Sequence, residues 1–332
     1  MKHAPYDLTQ MQSLPLDAKI AMTKQRIKAW YEHFDGNVYI SFSGGKDSTV
    51  LKHIVDEMYS DVPAVFVNTG LEYPEIQQFV RGIKNGKYDC FNSDVVMLRP
   101  EMRFDEVIKT YGYPVISKAI SGAIEDAKRN IPKGKKTVRI KMLYGQYDNK
   151  RKDGKPTKYD YSKWNYLIDS PFKISNKCCD IMKKAPFKKY EKETGRFPFI
   201  GTMANESVQR KNAWLKTGCN AFESKKPKSQ PLSFWTEQDI FEYIKKYNVP
   251  YAEIYGDIVE TGKTIQRIDG EHKQLKTTKA DRTGCMFCMF GVQCEKSPNR
   301  FERMKETHPK QYDFCINKLE CGKVLDEIGV KY

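Results

Sequence analysis

No apolar run in the 332 residues approaches the roughly 20 needed to cross a bilayer as a helix, so a helical membrane span is excluded and no membrane partner is expected. The stretch from Met1 to Pro15 lacks the apolar core of a secretory signal, which points to a cytoplasmic protein. In that compartment a disulfide framework is not expected. The cysteines at 90, 178, 179, 219, 285, 288, 294, 315 and 321 are therefore read as candidates for metal ligation or chemistry. Internal repeats are absent, and no low-complexity linker separates domains. Acidic residues are the minority: 42 Asp and Glu against 57 Lys and Arg leave a net charge of +15. That excess favours polyanionic partners such as nucleotides, nucleic acid or anionic surfaces without choosing among them.

What is present alternates. Residues 17–34 carry apolar side chains at helical spacing, and Asp35-Gly36-Asn37 stops them. A buried strand follows at 38–42, then a helix at 48–58, a strand at 64–67, a helix at 74–83 and a strand at 95–98. Strand signals resume at 197–200, and a helix capped by Thr236 or Ser233 is expected over 235–247. Strands alternating with helices imply right-handed crossovers, and so an α/β fold with a mainly parallel sheet covered on both faces. Residues 131–165 break the rhythm with eleven Lys or Arg against three Asp and with Tyr144, Tyr147, Tyr159, Tyr161 and Trp164 interspersed. They are expected to form an inserted basic hairpin or lid, a candidate nucleic-acid contact. The expected division is a helical segment 1–35, a nucleotide-binding domain 36–215 containing the insert, and a C-terminal helical, cysteine-rich region 216–332.

Between the first strand and its helix stands Ser43-Gly44-Gly45-Lys46-Asp47-Ser48-Thr49. Glycines let backbone N–H groups approach a ligand, and a helix start adds unpaired donors and partial positive charge. Ser43, Ser48 and Thr49 add hydroxyls, with Ser41 just upstream, and Lys46 adds a countercharge. Together they form an anion cradle in which Asp47 is placed to hold Mg²⁺. The second strand ends in Asn68-Thr69-Gly70-Leu71-Glu72, expected beside the cradle because ligands of open parallel sheets bind at the carboxyl ends of strands. Cys178-Cys179 and the distant Cys285-Met286-Phe287-Cys288 supply four thiolates, enough for a 4Fe–4S cluster. A structural Zn²⁺ is the alternative, unligated buried thiols are a third reading, and Cys294 is an alternative ligand.

The loop lacks Walker A spacing and matches the PP-loop signature Ser-Gly-Gly-x-Asp-Ser, so the chain resembles the PP-loop group that includes ATP pyrophosphatases and phosphoadenylyl-sulfate reductases. The vicinal-plus-C-x-x-C cysteines resemble those of adenylyl-sulfate reductases and DNA phosphorothioation proteins. The segments 201–210, 231–240 and 248–251 resemble the reductase branch. The resemblance implies an adenine nucleotide α-hydrolase-like fold, ATP or a sulfonucleotide as ligand, and Lys46, Asp47 and Arg210 as catalytic groups. Met203 replaces an arginine common in the branch, leaving Arg210 as the anion clamp, while the intact loop argues for ATP. Leu319-Glu320-Cys321-Gly322 resembles the reductase tail, implying Cys321 as a sulfur-attacking nucleophile flanked by Lys318 and Lys323. Three activities follow as expectations. One is ATP-dependent adenylation and sulfur transfer with a sulfur donor, on nucleic acid in one form; a second is sulfonucleotide reduction with a thioredoxin-like reductant; the third is a nucleotide- and cluster-binding subunit.

Overall fold

The structure is a computed structural model that describes residues 3–147 and 157–332. The chain divides into two compact units: Met1–Asn68, Glu72–Arg99 and Phe187–Thr283 form the first, and Thr69–Leu71, Pro100–Pro186 and Gly284–Tyr332 form the second.

In the first unit the apolar runs become strands Val38–Phe42, Ala64–Val67, Val95–Leu98 and Phe197–Ile200. With the two-residue strands Lys228–Ser229 and Asn220–Ala221 they make one six-stranded sheet. Its spatial order, by first residue, is 95, 64, 38, 197, 228, 220. All neighbours are parallel except the last pair. Successive side chains of a strand point to opposite faces. Val38, Ile40, Phe42, Ala64, Phe66 and Val95 accordingly join the main core, while Tyr39 and Val65 pack with Tyr190 and Phe187 of the helix Ala185–Thr194. Helix Lys46–Met58 buries Val50, Leu51, Ile54 and Val55 completely, each such side chain stabilising the fold by about 1.5–3 kcal/mol.

Helix ends follow local chemistry. Pro74 opens the helix Pro74–Lys84 at a position where no N–H is needed. Thr236 caps Glu237–Tyr247 by accepting the Asp239 N–H, and Asp239 reciprocates onto the Thr236 N–H. The antiparallel hairpin Ile258–Arg267 with Gly270–Thr277 was not anticipated from the sequence pattern. A buried ionic knot ties it down: Asp239 receives Lys19 at 2.8 Å and Arg267 at 2.9 Å, and Arg267 also holds Glu242 at 2.8 Å.

The second unit is mainly helical, with Phe104–Tyr111, Lys118–Asn130, Val138–Leu143, Arg300–Thr307, Pro309–Asp313 and Cys321–Glu327. Val115–Ile116 and Met289–Phe290 pair in parallel, and π turns occupy Asp180–Lys184 and Phe314–Lys318. The basic insert was expected as a hairpin or lid. Its described residues contain helical turns at Ile131–Lys133, Val138–Leu143 and Ser162–Ile168 and no strand; residues 148–156 lie outside the described part. Thr137 explains the start of the second turn, since its Oγ1 accepts the Ile140 N–H. No helix among the described residues is long and apolar enough to cross a membrane.

Candidate functional site

Strand Val38–Phe42 has Ala64–Val67 on one side and Phe197–Ile200 on the other. The chain winds outward from it in one direction and returns on the opposite side, so the loops after 42 and after 200 flank a topological switch point, where open α/β sheets bind ligands. Ser41 is the penultimate residue of this strand, in register with Val65 and Ile200. Gly44 takes a left-handed φ of +71°, and a Cβ there would lie 2.8 Å from methyls of Ile76 and Val80. Gly201, from the facing loop, approaches so closely that a Cβ would stand 3.0 Å from Ser48 Cα and 3.1 Å from the Asp47 carbonyl. The turn between them is held by its own hydroxyls. Ser48 Oγ donates to the Gly45 carbonyl at 2.9 Å and accepts the Ser43 N–H at 3.2 Å. Ser43 Oγ accepts the Gly45 N–H at 3.3 Å, and Thr49 Oγ1 donates to the Gly45 carbonyl at 3.0 Å. Helix Lys46–Met58 begins there with Gly45 as its N-cap, and a helix start carries partial positive charge.

The side chains around this loop have partners of their own. Lys46 was read as a phosphate countercharge. Its ammonium is buried and committed: 2.8 Å from Glu237, donating to the Asp281 carbonyl, and lying 5.4 Å and 5.2 Å over the rings of Phe241 and Tyr255. A buried ammonium needs a carboxylate, and Glu237 supplies it. Asp47 is the reverse case, for its Oδ1 is sealed from solvent with no hydrogen-bond partner. Burial pushes the Asp47 carboxyl up to about 6, with Glu206 and Glu237 reinforcing and Lys46 and Arg282 opposing. Arg210 pairs with Glu206, which also faces Arg282 at 3.7 Å and accepts the Met203 N–H at 2.8 Å. Tyr255 accepts the Lys46 N–H and bonds Thr283 Oγ1 at 2.6 Å, and burial raises its phenol to about 12. Glu206 and Glu237 lie within the segments 201–210 and 231–240 without having been singled out there, and Tyr255, Arg282 and Thr283 are site neighbours outside every motif. The one available signal was the run Asp281-Arg282-Thr283 directly before Gly284-Cys285.

Asn68 follows the strand beside the central one, its N–H on the Leu98 carbonyl at 2.9 Å, and Glu72 belongs to the same unit. Thr69 and Gly70 belong to the second unit, where Thr69 Oγ1 accepts the Leu71 N–H at 3.2 Å and Gly70 has a φ of +75°.

The second unit also gathers the four cysteines. Cys178 and Cys179 begin a helix that runs straight into the π turn Asp180–Lys184. Cys288 turns back on Cys285, its N–H 3.1 Å from the Cys285 carbonyl, and Arg300 donates to the Cys288 carbonyl at 2.8 Å. Burial pushes the Cys178 thiol far up, and the neighbouring Cys179, Cys285 and Cys288 push it further while Lys183 opposes, so the four thiols act on one another. Among the described residues, no three His, Cys, Asp or Glu side chains form a group that could hold a metal ion. Cys294 is exposed. Cys321, read as a nucleophile, is completely buried; its flanking Lys323 pairs with Glu320, and Lys318 is exposed.

Residues 37–119 and 124–289 match the model of the phosphoadenosine phosphosulfate reductase domain family. An adenosine 5'-phosphosulfate reductase of Staphylococcus haemolyticus is 25% identical over 230 residues, covering 68% of this chain and 79% of that protein. An uncharacterised protein of Methanocaldococcus jannaschii is 24% identical over 314 residues, 91% of this chain, which spans only 53% of that relative's length. Among solved structures, the phosphate complex of phosphoadenylyl-sulfate reductase from Candida auris is similar at 15% identity and a TM-score of 0.40, covering 80% of this chain and 99% of that one.

Proposed function

The chain belongs to the phosphoadenosine phosphosulfate reductase domain family, and on that premise we propose an enzyme that uses ATP to adenylate a substrate oxygen and then replaces that oxygen by sulfur. The observation that carries the choice of ATP is the complete loop 43–49 at the switch point, whose glycines, hydroxyls and helix start suit a β,γ-pyrophosphate. The substrate oxygen forms a bond to the α-phosphorus while the bond from that phosphorus to the β-bridging oxygen breaks, its electron pair leaving with pyrophosphate. Loop amides and the first turn of helix Lys46–Met58 stabilise that developing charge. A sulfur donor of the sulfide class then attacks the activated carbon: the C–S bond forms as the C–O bond breaks, and AMP leaves with the oxygen and its electron pair. Asp47 suits a divalent cation, because its buried Oδ1 lacks any other partner; Mg²⁺ bound there would supply charge to screen the leaving pyrophosphate.

Cys178, Cys179, Cys285 and Cys288 would hold a 4Fe–4S cluster. Four thiolates suffice for such a cluster, and a tetrahedral structural zinc on the same four is the alternative. When bound, such a cluster supplies electron-transfer or sulfur-binding capacity. Anaerobically prepared protein is expected to contain iron and sulfide and to release pyrophosphate from ATP and Mg²⁺ in the presence of the acceptor. Cys178→Ser should lose the iron, measured by metal analysis and absorbance.

The named reductase relatives support a second reading, sulfonucleotide reduction with Cys321 as nucleophile and a thioredoxin-like reductant. Sulfite released from a sulfonucleotide without pyrophosphate formation, and abolished by Cys321→Ser, would replace the first reading with this one. Nucleotide and cluster binding with no turnover of either substrate would leave the role of a binding subunit.

Nucleic acid as acceptor is supported by the insert, where Tyr144, Tyr147 and Tyr159 are exposed, as are Lys135, Lys136, Arg139 and Lys141. Lysines and arginines meet phosphates and aromatics stack on bases. Changing those four basic residues to Ala should flatten the salt dependence of nucleic-acid binding by about three units of log–log slope. An unchanged slope in a titration would remove nucleic acid from the proposal.

A further inference from the structure

In the second unit the chain reverses over 314–321. The helix widens to a π turn at Phe314–Lys318, the Leu319 N–H returns to the Phe314 carbonyl at 2.9 Å, and Glu320 takes a left-handed φ of +54° before helix Cys321–Glu327 begins. The reversal folds Cys321 back onto Cys315. Both are 0% exposed, and their thiols are hydrogen-bonded to each other. Tyr113 fastens the turn from outside, its hydroxyl donating to the Leu319 carbonyl at 2.9 Å. Gly322 is required beside it, since a Cβ there would meet Ile316 at 2.9 Å and Tyr332 at 3.1 Å. The first unit's Cys219 makes a different contact, accepting from Ser233 Oγ at 3.3 Å.

We propose that Cys315 and Cys321 are a redox-active dithiol that exchanges with low-molecular-weight disulfides and closes an intramolecular bridge. Hydrogen-bonded thiols need only a small movement to reach an S–S bond of about 2.05 Å. The turn has already brought the two sulfurs together, so little loop-closure entropy remains to be lost. At rest the hydrogen bond to Cys321, and then burial, hold the Cys315 thiol well above the ordinary range, keeping it protonated and inert. Opening of the short helix Cys321–Glu327 exposes the pair. One thiolate then attacks the disulfide RSSR, forming a mixed disulfide and releasing RS⁻, which takes up the proton lost by that cysteine. The second cysteine loses its proton, attacks the protein-side sulfur and releases a second RSH. The protein loses two electrons and two protons, and RSSR becomes two RSH. A lone tail nucleophile would need an outside thiol to resolve it; here the resolving thiol is built in.

The test equilibrates the intact wild-type chain anaerobically with mixtures of reduced and oxidised glutathione, quenches in acid denaturant, alkylates and maps peptides. The expected result is a bridge between 315 and 321 whose oxidised-to-reduced ratio changes tenfold for each tenfold change in [GSSG]/[GSH]², equivalent to about 30 mV. Cys315→Ser should convert the response to a glutathione adduct on Cys321 that follows [GSSG]/[GSH]. The proposal is overturned if both cysteines remain alkylated in the most oxidising mixture, or if either bridges to another cysteine. The wild-type mapping needs no variant to fold, and it reads the pair whether or not the nucleotide chemistry is as proposed.

Discussion

Asp47→Asn is expected to stabilise the nucleotide-free protein at alkaline pH while lowering pyrophosphate release about 10²- to 10³-fold, the loss seen when one charge-stabilising group of an active site is removed. The two effects share a cause. The folded carboxyl titrates near 6, above the roughly 3.9 of an unfolded aspartate, so the folded state holds that proton more tightly. Stability from this group is fully present below about pH 4 and is lost as pH rises through about 6. The charged form then costs on the order of 3 kcal/mol, at about 1.4 kcal/mol for each pH unit between those two values. Asparagine carries no charge to bury, so its melting temperature should exceed that of the wild type by several degrees above about pH 7 and match it below about pH 4. A bound divalent cation reverses the balance by claiming the carboxylate, so Mg²⁺ affinity should fall about tenfold for each pH unit below 6. Thermal melts across pH and a Mg²⁺ titration check both arms; equal melting temperatures at pH 8 would show that the buried carboxyl carries no such penalty.

The largest loss of stability is expected at Asp239. Its carboxylate is 0% exposed and receives Lys19, itself 0% exposed, Arg267, and the N–H and hydroxyl of Thr236. Alanine there leaves buried Lys19 without a carboxylate, takes one of Arg267's two acidic partners and removes the Asp239 half of the capping box, which costs about 3–5 kcal/mol for an uncompensated buried charge. Against a total stability of about 5–15 kcal/mol, that leaves a protein near its unfolding threshold. Glu57→Ala, which breaks the exposed pair with Lys24, should cost less than about 1 kcal/mol. Urea unfolding of the two variants side by side decides the matter; similar midpoints would mean the knot contributes no more than a surface pair.

The sheet was legible because its strands are short apolar runs ended by turn residues: 38–42, 64–67, 95–98 and 197–200 appear with those bounds. The helices differ by a residue or two at their ends, as where Thr236 starts the helix two residues later than expected. The hairpin at 258–277 was not legible, because only Arg267, Leu275 and Thr277 of its two strands are buried and so it has no apolar alternation to read. Its anchor, Arg267 on Asp239, joins positions far apart in sequence. The phosphate loop could be seen locally, since seven consecutive residues build it. The partner that occupies Lys46 could not, for Glu237 stands about 190 residues away. Cys321 shows the same limit from another side: three letters suggested a nucleophile, and only the backbone reversal after Lys318 reveals the thiol that it faces.

The two compact units are threaded through each other along the chain, with the path changing unit after residues 68, 71, 99, 186 and 283. No single continuous fragment therefore contains either one. A truncation series searching for a minimal nucleotide-binding piece should yield insoluble products at every internal end point. A single protease cut at any changeover should leave both halves needed for either unit, so activity would survive nicking far better than it would survive deletion.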